Sequence, residues 1–459
     1  MRLRRSDLKS RVNANLTLKY QSKGITSFAG LELFRRYLKL IKLPGLIRDR
    51  LGPLFNGHDF SVVSIMMLLL GLITTGGRRV HHLGYMEHDP VILRFTGLTR
   101  LPSTRTVGRW LAEFDDKRIS ALRSINSRIV ADSLQGSGLK ALTVDVDGTV
   151  VSTGLKVSGA ARGFNPHNRK RPSYYPISAY GAELGHIIRL ENRAGNVHDG
   201  NASLGFLGRV FDQLRDETEA GLKLCFRMDG AFFREDVLEL FDSEQAQFAI
   251  KVPFWRYLNL QQRIAARHRW QRVSGEVSCF ETELEMKRWG HRLRVVIYRK
   301  RVHHESRKNY QLDLFDPNTG HWEYSAVATN TELSGPVLWS FMSGRSAHEK
   351  AYGELKTGFA FDSIPSQQEQ ANTAWQLFSV LAFNLSRAFQ AATTAPKRAS
   401  DEKRTTLYRF SAIHTLRYKL LNRAGVITFP QGQATLDLGS APMIKTFFEE
   451  VRQKLEIAA

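Results

Sequence analysis

Two stretches of the chain alternate apolar and polar residues strictly, and each closes on an aspartate. In residues 141–147, ALTVDVD, Leu142, Val144 and Val146 fall on one face and Thr143, Asp145 and Asp147 on the other. In residues 222–229, LKLCFRMD, Leu222, Leu224, Phe226 and Met228 take the inward positions and Asp229 ends the run. A period of two sends successive side chains to opposite faces, so both stretches predict strands with one buried face. Further strands are predicted at residues 175–180, 186–191 and 247–252, with helices at 203–215 and 234–241. Strands alternating with helices predict an α/β layer fold.

Ahead of this region the spacing becomes helical. Residues 30–46 carry Leu31, Leu33, Phe34, Leu38 and Ile41 at helical intervals, and residues 58–75 are apolar almost all round, which predicts a buried helix. In LPSTRTVGRWLAEF, residues 101–114, Ser103 or Thr104 is placed to cap a helix whose inner face is Val107, Trp110, Leu111 and Phe114. Arg105 and Arg109 fall on its outer side, the arrangement of a helix-turn-helix element reading a DNA groove. Small helical domains that never touch DNA share that arrangement. Gly136 and Gly138 mark a boundary. Residues 16–20 alternate like a strand.

After residue 252 the pattern changes to short strands rich in Trp, Tyr and Arg, at 277–280, 293–299 and 311–315, which predicts a β-rich insertion. The helix–strand pattern resumes at 326, with helices near 336–342, at 344–356 and at 368–390. The organisation expected is therefore a basic arm (1–55), a helical domain that could bind DNA (56–136), an α/β domain in two parts (137–252 and 326–395) around the insertion (253–325), and a basic tail (396–459).

Charge narrows the partner. The chain has 66 Lys and Arg against 44 Asp and Glu, a net +22 over 459 residues, and the first 50 residues alone hold 13 basic and 3 acidic side chains. Polyphosphate is the commonest partner of such an excess, so nucleic acid is expected. The two cysteines, Cys225 and Cys279, have no zinc-module spacing and indicate a reducing compartment. The basic N-terminus lacks the apolar core of a signal peptide, and the apolar run at 62–73 is too short for a membrane span, so a cytoplasmic protein without a membrane partner is expected.

One short segment concentrates chemistry. In GRSAHEKAYGELK, residues 344–356, Glu349 and Lys356 are seven residues apart and share a helix face, and Arg345 precedes Glu349 by four. Together with Asp147 and Asp229 at strand ends, Glu349 makes three carboxylates that a fold could bring together. Converging carboxylates repel one another and persist when a divalent cation holds them; hard oxygen donors favour Mg2+ or Mn2+. Two such ions serve phosphoryl transfer on nucleic acid. Each acid also has an ordinary reading. Asp147–Gly148 and Asp229–Gly230 are turn dipeptides, and Glu349 could complete a capping box with Ser346. Asp145 shares the face of Asp147 and could be the ligand instead, while Glu354 points away from the Glu349 face.

These motifs carry a resemblance. Arg345, then Glu349 after three residues and Lys356 after six more, resembles the Tyr–Arg–Glu–Lys signature of DDE-type insertion-sequence transposases. DVDGTV (145–150), KRPSYYPISAYG (170–181), FRMDGAFF (226–233), GELKTGFAFDSIPS (353–366) and TLRYKLLNRAG (415–425) are similar to the group of insertion sequence 1380. The resemblance implies an RNase H-like, retroviral-integrase-like catalytic domain. Asp147, Asp229 and Glu349 would be catalytic metal ligands there, for Mg2+ or Mn2+, two ions in all. It also implies Arg345 and Lys356 on transposon-end phosphates, double-stranded DNA (terminal inverted repeats and target) as partner, a homodimer on DNA, and a bacterial, nucleoid-associated protein. The signature's Tyr position is Met342 here, with Trp339 a possible substitute. Arg171, Tyr174 and Tyr175 are candidates for lining the DNA groove, or for packing at the start of a strand.

Overall fold

The computed structural model describes residues 15–20, 24–163, 165, 168, 170–217, 221–301, 322–399 and 405–458. The predicted strand at 311–315 lies outside them. Residues 16–20 have no regular structure, and Leu16, Leu18 and Tyr20 are exposed. Alternation alone makes no strand where no neighbouring strand accepts its backbone bonds.

Among the described residues, six α-helices precede the first long strand: α1 (Leu31–Leu40), α2 (Leu43–Leu51), α3 (Val62–Thr75), α4 (Pro90–Thr96), α5 (Thr104–Ala112) and α6 (Asp116–Ser137). α3, α4, α5 and α6 each start at a capping side chain. Ser61, Asp89, Ser103 and Asp115 each accept a backbone N–H of the first turn. α6 ends at Gly138, whose φ of +69° is the left-handed stop that glycine adopts without strain.

A nine-stranded sheet forms the centre of the molecule. Its long strands are β1 (Ala141–Gly148), β2 (Ile177–Gly181), β3 (His186–Glu191), β4 (Lys223–Met228), β5 (Gln247–Lys251), β6 (Val277–Met286), β7 (His291–Arg301) and β8 (Trp322–Thr329). The order is β3-β2-β1-β4-β5-β8-β7-β6, with the short strand Gln271–Arg272 at the β6 edge. β1, β4 and β5 run parallel; the remaining pairs are antiparallel. Helices α7 (Asp199–Glu217) and α8 (Glu235–Ser243) lie between the strands in sequence. Strands of the region read as an insertion join this same sheet, because β8 pairs with β5 through Val327–Lys251, Ala328–Ile250 and Thr329–Ala249.

After β8 come α9 (Gly335–Ser343), α10 (Ser346–Gly358), α11 (Glu369–Ala392) and, near the end, α12 (Pro442–Ile457). α11 is the pillar between helices and sheet. Its Phe378 packs on Trp110 of α5 and its Phe389 on Phe34 of α1. Its buried Asn384 accepts the N–H of Ile187 in β3 at 2.9 Å and donates to Asn126 of α6 at 2.8 Å. Helices α1 to α6 thus share one core with α10 and α11. Arg417 of the basic tail is buried there, donating to the carbonyls of Ile73, Thr74 and Gly358. It closes helix ends instead of meeting solvent. Among the described residues no helix is long and apolar enough to cross a membrane.

Candidate active site

β1 and β4 are parallel neighbours in the register Asp145–Arg227. Two residues further along both strands, the same register brings Asp147 beside Asp229 at the strand ends. Asp229 leaves β4 and caps a short 3-10 turn, Gly230–Phe232, by accepting the Ala231 N–H at 3.0 Å. The turn reading of Asp229–Gly230 and its placement beside Asp147 therefore hold together. Asp147 and Gly148, by contrast, form no turn: Gly148 is still paired with Ile177.

Asp147 is electrostatically uncomfortable. Burial pushes its carboxyl up to about 6, the negative charges of Asp229 and Asp199 push the same way, and Arg345 opposes them. Nη2 of Arg345 lies 3.7 Å from Oδ2 of Asp147. Arg345 stands at the start of α10, and the inner face of that helix lies along the end of β1. The Tyr352 hydroxyl donates to the Asp147 carbonyl at 3.0 Å and accepts from Ser178 at 2.7 Å. Lys356 donates to Thr149 Oγ1 at 2.7 Å and to the Val150 carbonyl at 2.9 Å. His348, buried against Ser178 Oγ at 2.8 Å, is kept neutral by burial, its pKa lowered to about 3. Lys356 thus fastens α10 to the strand end, with two of its three donors engaged.

Asp145 is committed elsewhere. It forms a bidentate pair with Arg227, at 2.6 and 2.8 Å, and both side chains are 1% exposed. The third arm of Arg227 donates to the Phe341 carbonyl at the end of α9. Gly344 is required here, since a Cβ on it would stand 2.2 Å from Arg227 Nη1. Asp145 is thus an internal ion-pair partner, with both carboxylate oxygens engaged by Arg227.

Glu349 stands exposed on the first turn of α10. The capping box expected with Ser346 is not formed; Arg345 occupies the cap position in helical conformation, with no side-chain bond to the helix start. Glu354 points away from the site as expected, pairing with Arg387 of α11 and accepting the Ile413 N–H. Met342 is buried in the apolar layer between α9 and the sheet, and Trp339 packs on Tyr298. Arg105 and Arg109 are exposed on the outside of α5, whose inner face is Val107, Trp110 and Leu111. Tyr174 is fully buried and donates to the Ser158 carbonyl, so it lines no groove.

One acid of this neighbourhood escaped the sequence reading. Asp199, at the start of α7, accepts from Tyr175 at 3.0 Å and from Arg193 at 2.5 Å. Gly148 makes room for them, since a Cβ there would meet the Tyr175 ring at 2.6 Å and Asp199 Oδ1 at 2.8 Å. A signal was present: Asp147, Asp199 and Asp229 are each followed by glycine.

The donor set fits a divalent cation in chemistry. Asp147 and Asp229 are hard-oxygen ligands whose mutual repulsion a cation would relieve. Among the described residues no three His, Cys, Asp or Glu side chains are grouped closely enough to hold an ion.

A mixed α/β sheet with paired carboxylates at the ends of adjacent parallel strands is the architecture in hand. The chain belongs to the transposase DDE domain family, group 1, whose model matches residues 8–459. Among solved structures, the cryo-EM structure of the piggyBac transposase synaptic complex with hairpin DNA is similar to it at 8% identity, covering 81% of this chain and 78% of that one, with a TM-score of 0.43. No curated protein matches the chain.

Proposed function

We propose that this transposase cuts the ends of its own element and joins them to target DNA, and that β3-β2-β1-β4-β5 with its helices is an RNase H-like, integrase-like catalytic core. The observation that carries this is the placement of Asp147 beside Asp229 with Arg345 against Asp147. The strand order, an antiparallel trio followed by two parallel strands, supports the fold reading. Asp147 and Asp229 would hold Mg2+ or Mn2+, with Glu349 completing the ligands from the first turn of α10. When bound, the cations activate the attacking oxygen and stabilise the leaving one. The chain's own contribution is positional. Tyr352 and Lys356 fix α10 against β1, so Arg345 and Glu349 are presented to the same phosphodiester. Arg345 steadies the phosphate charge, while Arg105, Arg109 and the basic excess gather duplex DNA. Joining two ends to one target implies two copies of the chain on DNA.

The test is cleavage of duplexes carrying the element's terminal repeat, with Mg2+, beside random duplexes. End-specific cutting is expected, abolished in Asp147→Asn, Asp229→Asn and Glu349→Gln while binding to the end survives. Binding without cutting by the unaltered protein marks a DNA-binding protein without catalysis. Cutting indifferent to the repeat marks a general nuclease.

A further inference from the structure

A cleft of about 760 Å3 opens beside the C-terminal half of α10. Three separated segments line it: residues 78–81 after α3, residues 152–155 just beyond β1, and residues 362–365 after α10, with Arg171 on the rim. Its charge is one-sided. Asp362, the one acid of the lining, is already paired with Arg78 at 2.6 Å, and Arg78 also donates to the carbonyls of Lys356 and Thr357. That brace fixes the cleft to the helix carrying Arg345 and Glu349. Arg79, His81 and Arg171 are exposed, and neither arginine has an ion-pair partner among the described residues. Unpaired guanidiniums facing one concavity are arranged for an anion with several oxygens.

Position identifies the anion. From Asp147 to Ser152 at the cleft wall is five residues, at most about 17 Å of extended chain. Duplex DNA rises about 3.4 Å per base pair, so the cleft lies within roughly five base pairs of a phosphodiester held at Asp147. We infer that this cleft grips the sugar–phosphate backbone of the DNA strand within a few nucleotides of the cut, through Arg79 and Arg171. The inference rests on the function proposed above and adds where the flanking strand runs.

The test compares the full-length protein with Arg79→Ala/Arg171→Ala and Arg79→Lys/Arg171→Lys double variants. Binding to the terminal-repeat duplex is measured by fluorescence anisotropy across salt concentrations, and phosphate contacts are mapped by ethylation interference. Losing two phosphate contacts should lower the slope of log affinity against log salt by about 2. Affinity in low salt should fall roughly ten-fold, while the Lys variant keeps the slope. Interference at phosphates within about five nucleotides of the cut should vanish in the Ala variant alone. An unchanged slope and footprint in the Ala variant, with the unaltered protein still cutting ends, overturns the cleft and leaves the proposed function standing. Failure of the unaltered protein to bind or cut end DNA overturns both.

Discussion

Arg227 and Asp145 form a fully buried bidentate ion pair beneath the site, two residues back from Asp229 and Asp147 on the same two strands. Its consequence is a division of labour between neighbouring aspartates. A buried charge without its partner is strongly destabilising, about 3–5 kcal/mol. Arg227→Met should therefore lower stability by about that amount in urea unfolding, whereas Asp147→Asn should not lower it at all. Equal losses for the two would contradict this assignment.

Gly344 is where α9 passes over that arginine. Gly344→Ala puts a methyl group 2.2 Å from Arg227 Nη1, and Arg227 is pinned by three hydrogen bonds to Asp145 and the Phe341 carbonyl. The expected cost is about 1–3 kcal/mol, with end cutting reduced because Arg345 follows directly. A Gly344→Ala protein of unchanged melting temperature would show that the arginine yields.

The acidity of Asp147 makes a signed prediction. Its pKa rises from the ordinary 3.8 to about 6, so between those values the folded state holds a proton that the unfolded chain has released. The stabilisation present below about pH 4 is lost as the pH rises through 6, amounting to about 3 kcal/mol. Asp147→Asn, in chelator, should match the unaltered protein near pH 3.5 and exceed its stability at pH 7.5 by about 1–3 kcal/mol. Adding Mn2+ at pH 7.5 should raise the melting temperature of the unaltered protein and not that of the variant.

Ser346 and Glu349 separate structure from chemistry on one turn of helix. Since no side-chain cap is formed, Ser346→Ala should change stability by less than about 0.5 kcal/mol, where loss of a working cap costs about 1. Glu349→Gln, on an exposed side chain, should leave the melting temperature in place and remove cutting. A clear loss of stability in either variant would restore the capping box.

Much of this protein is legible from its amino-acid order, because local rules decide it. Period-two alternation marks β1 and β4 and their closing aspartates, capping side chains start α5 and α6, and Gly138 ends α6. The spacing from Arg345 to Lys356 puts the site's basic and acidic groups on one helix. Partnership across the chain is another matter. That Asp145 belongs to Arg227 depends on parallel register between strands 82 residues apart, and Asp145 and Asp147 look alike to any count of alternation. The insertion strands predicted at 277–280 and 293–299 fall within β6 and β7, but only the bonding of β8 to β7 and to β5 makes them part of the central sheet. Lys356, which the family resemblance offers to DNA, is held at the strand end by Thr149 and Val150. Sequence sets what each segment prefers; tertiary structure decides which side chains spend their charges on each other and which are left to meet a phosphate.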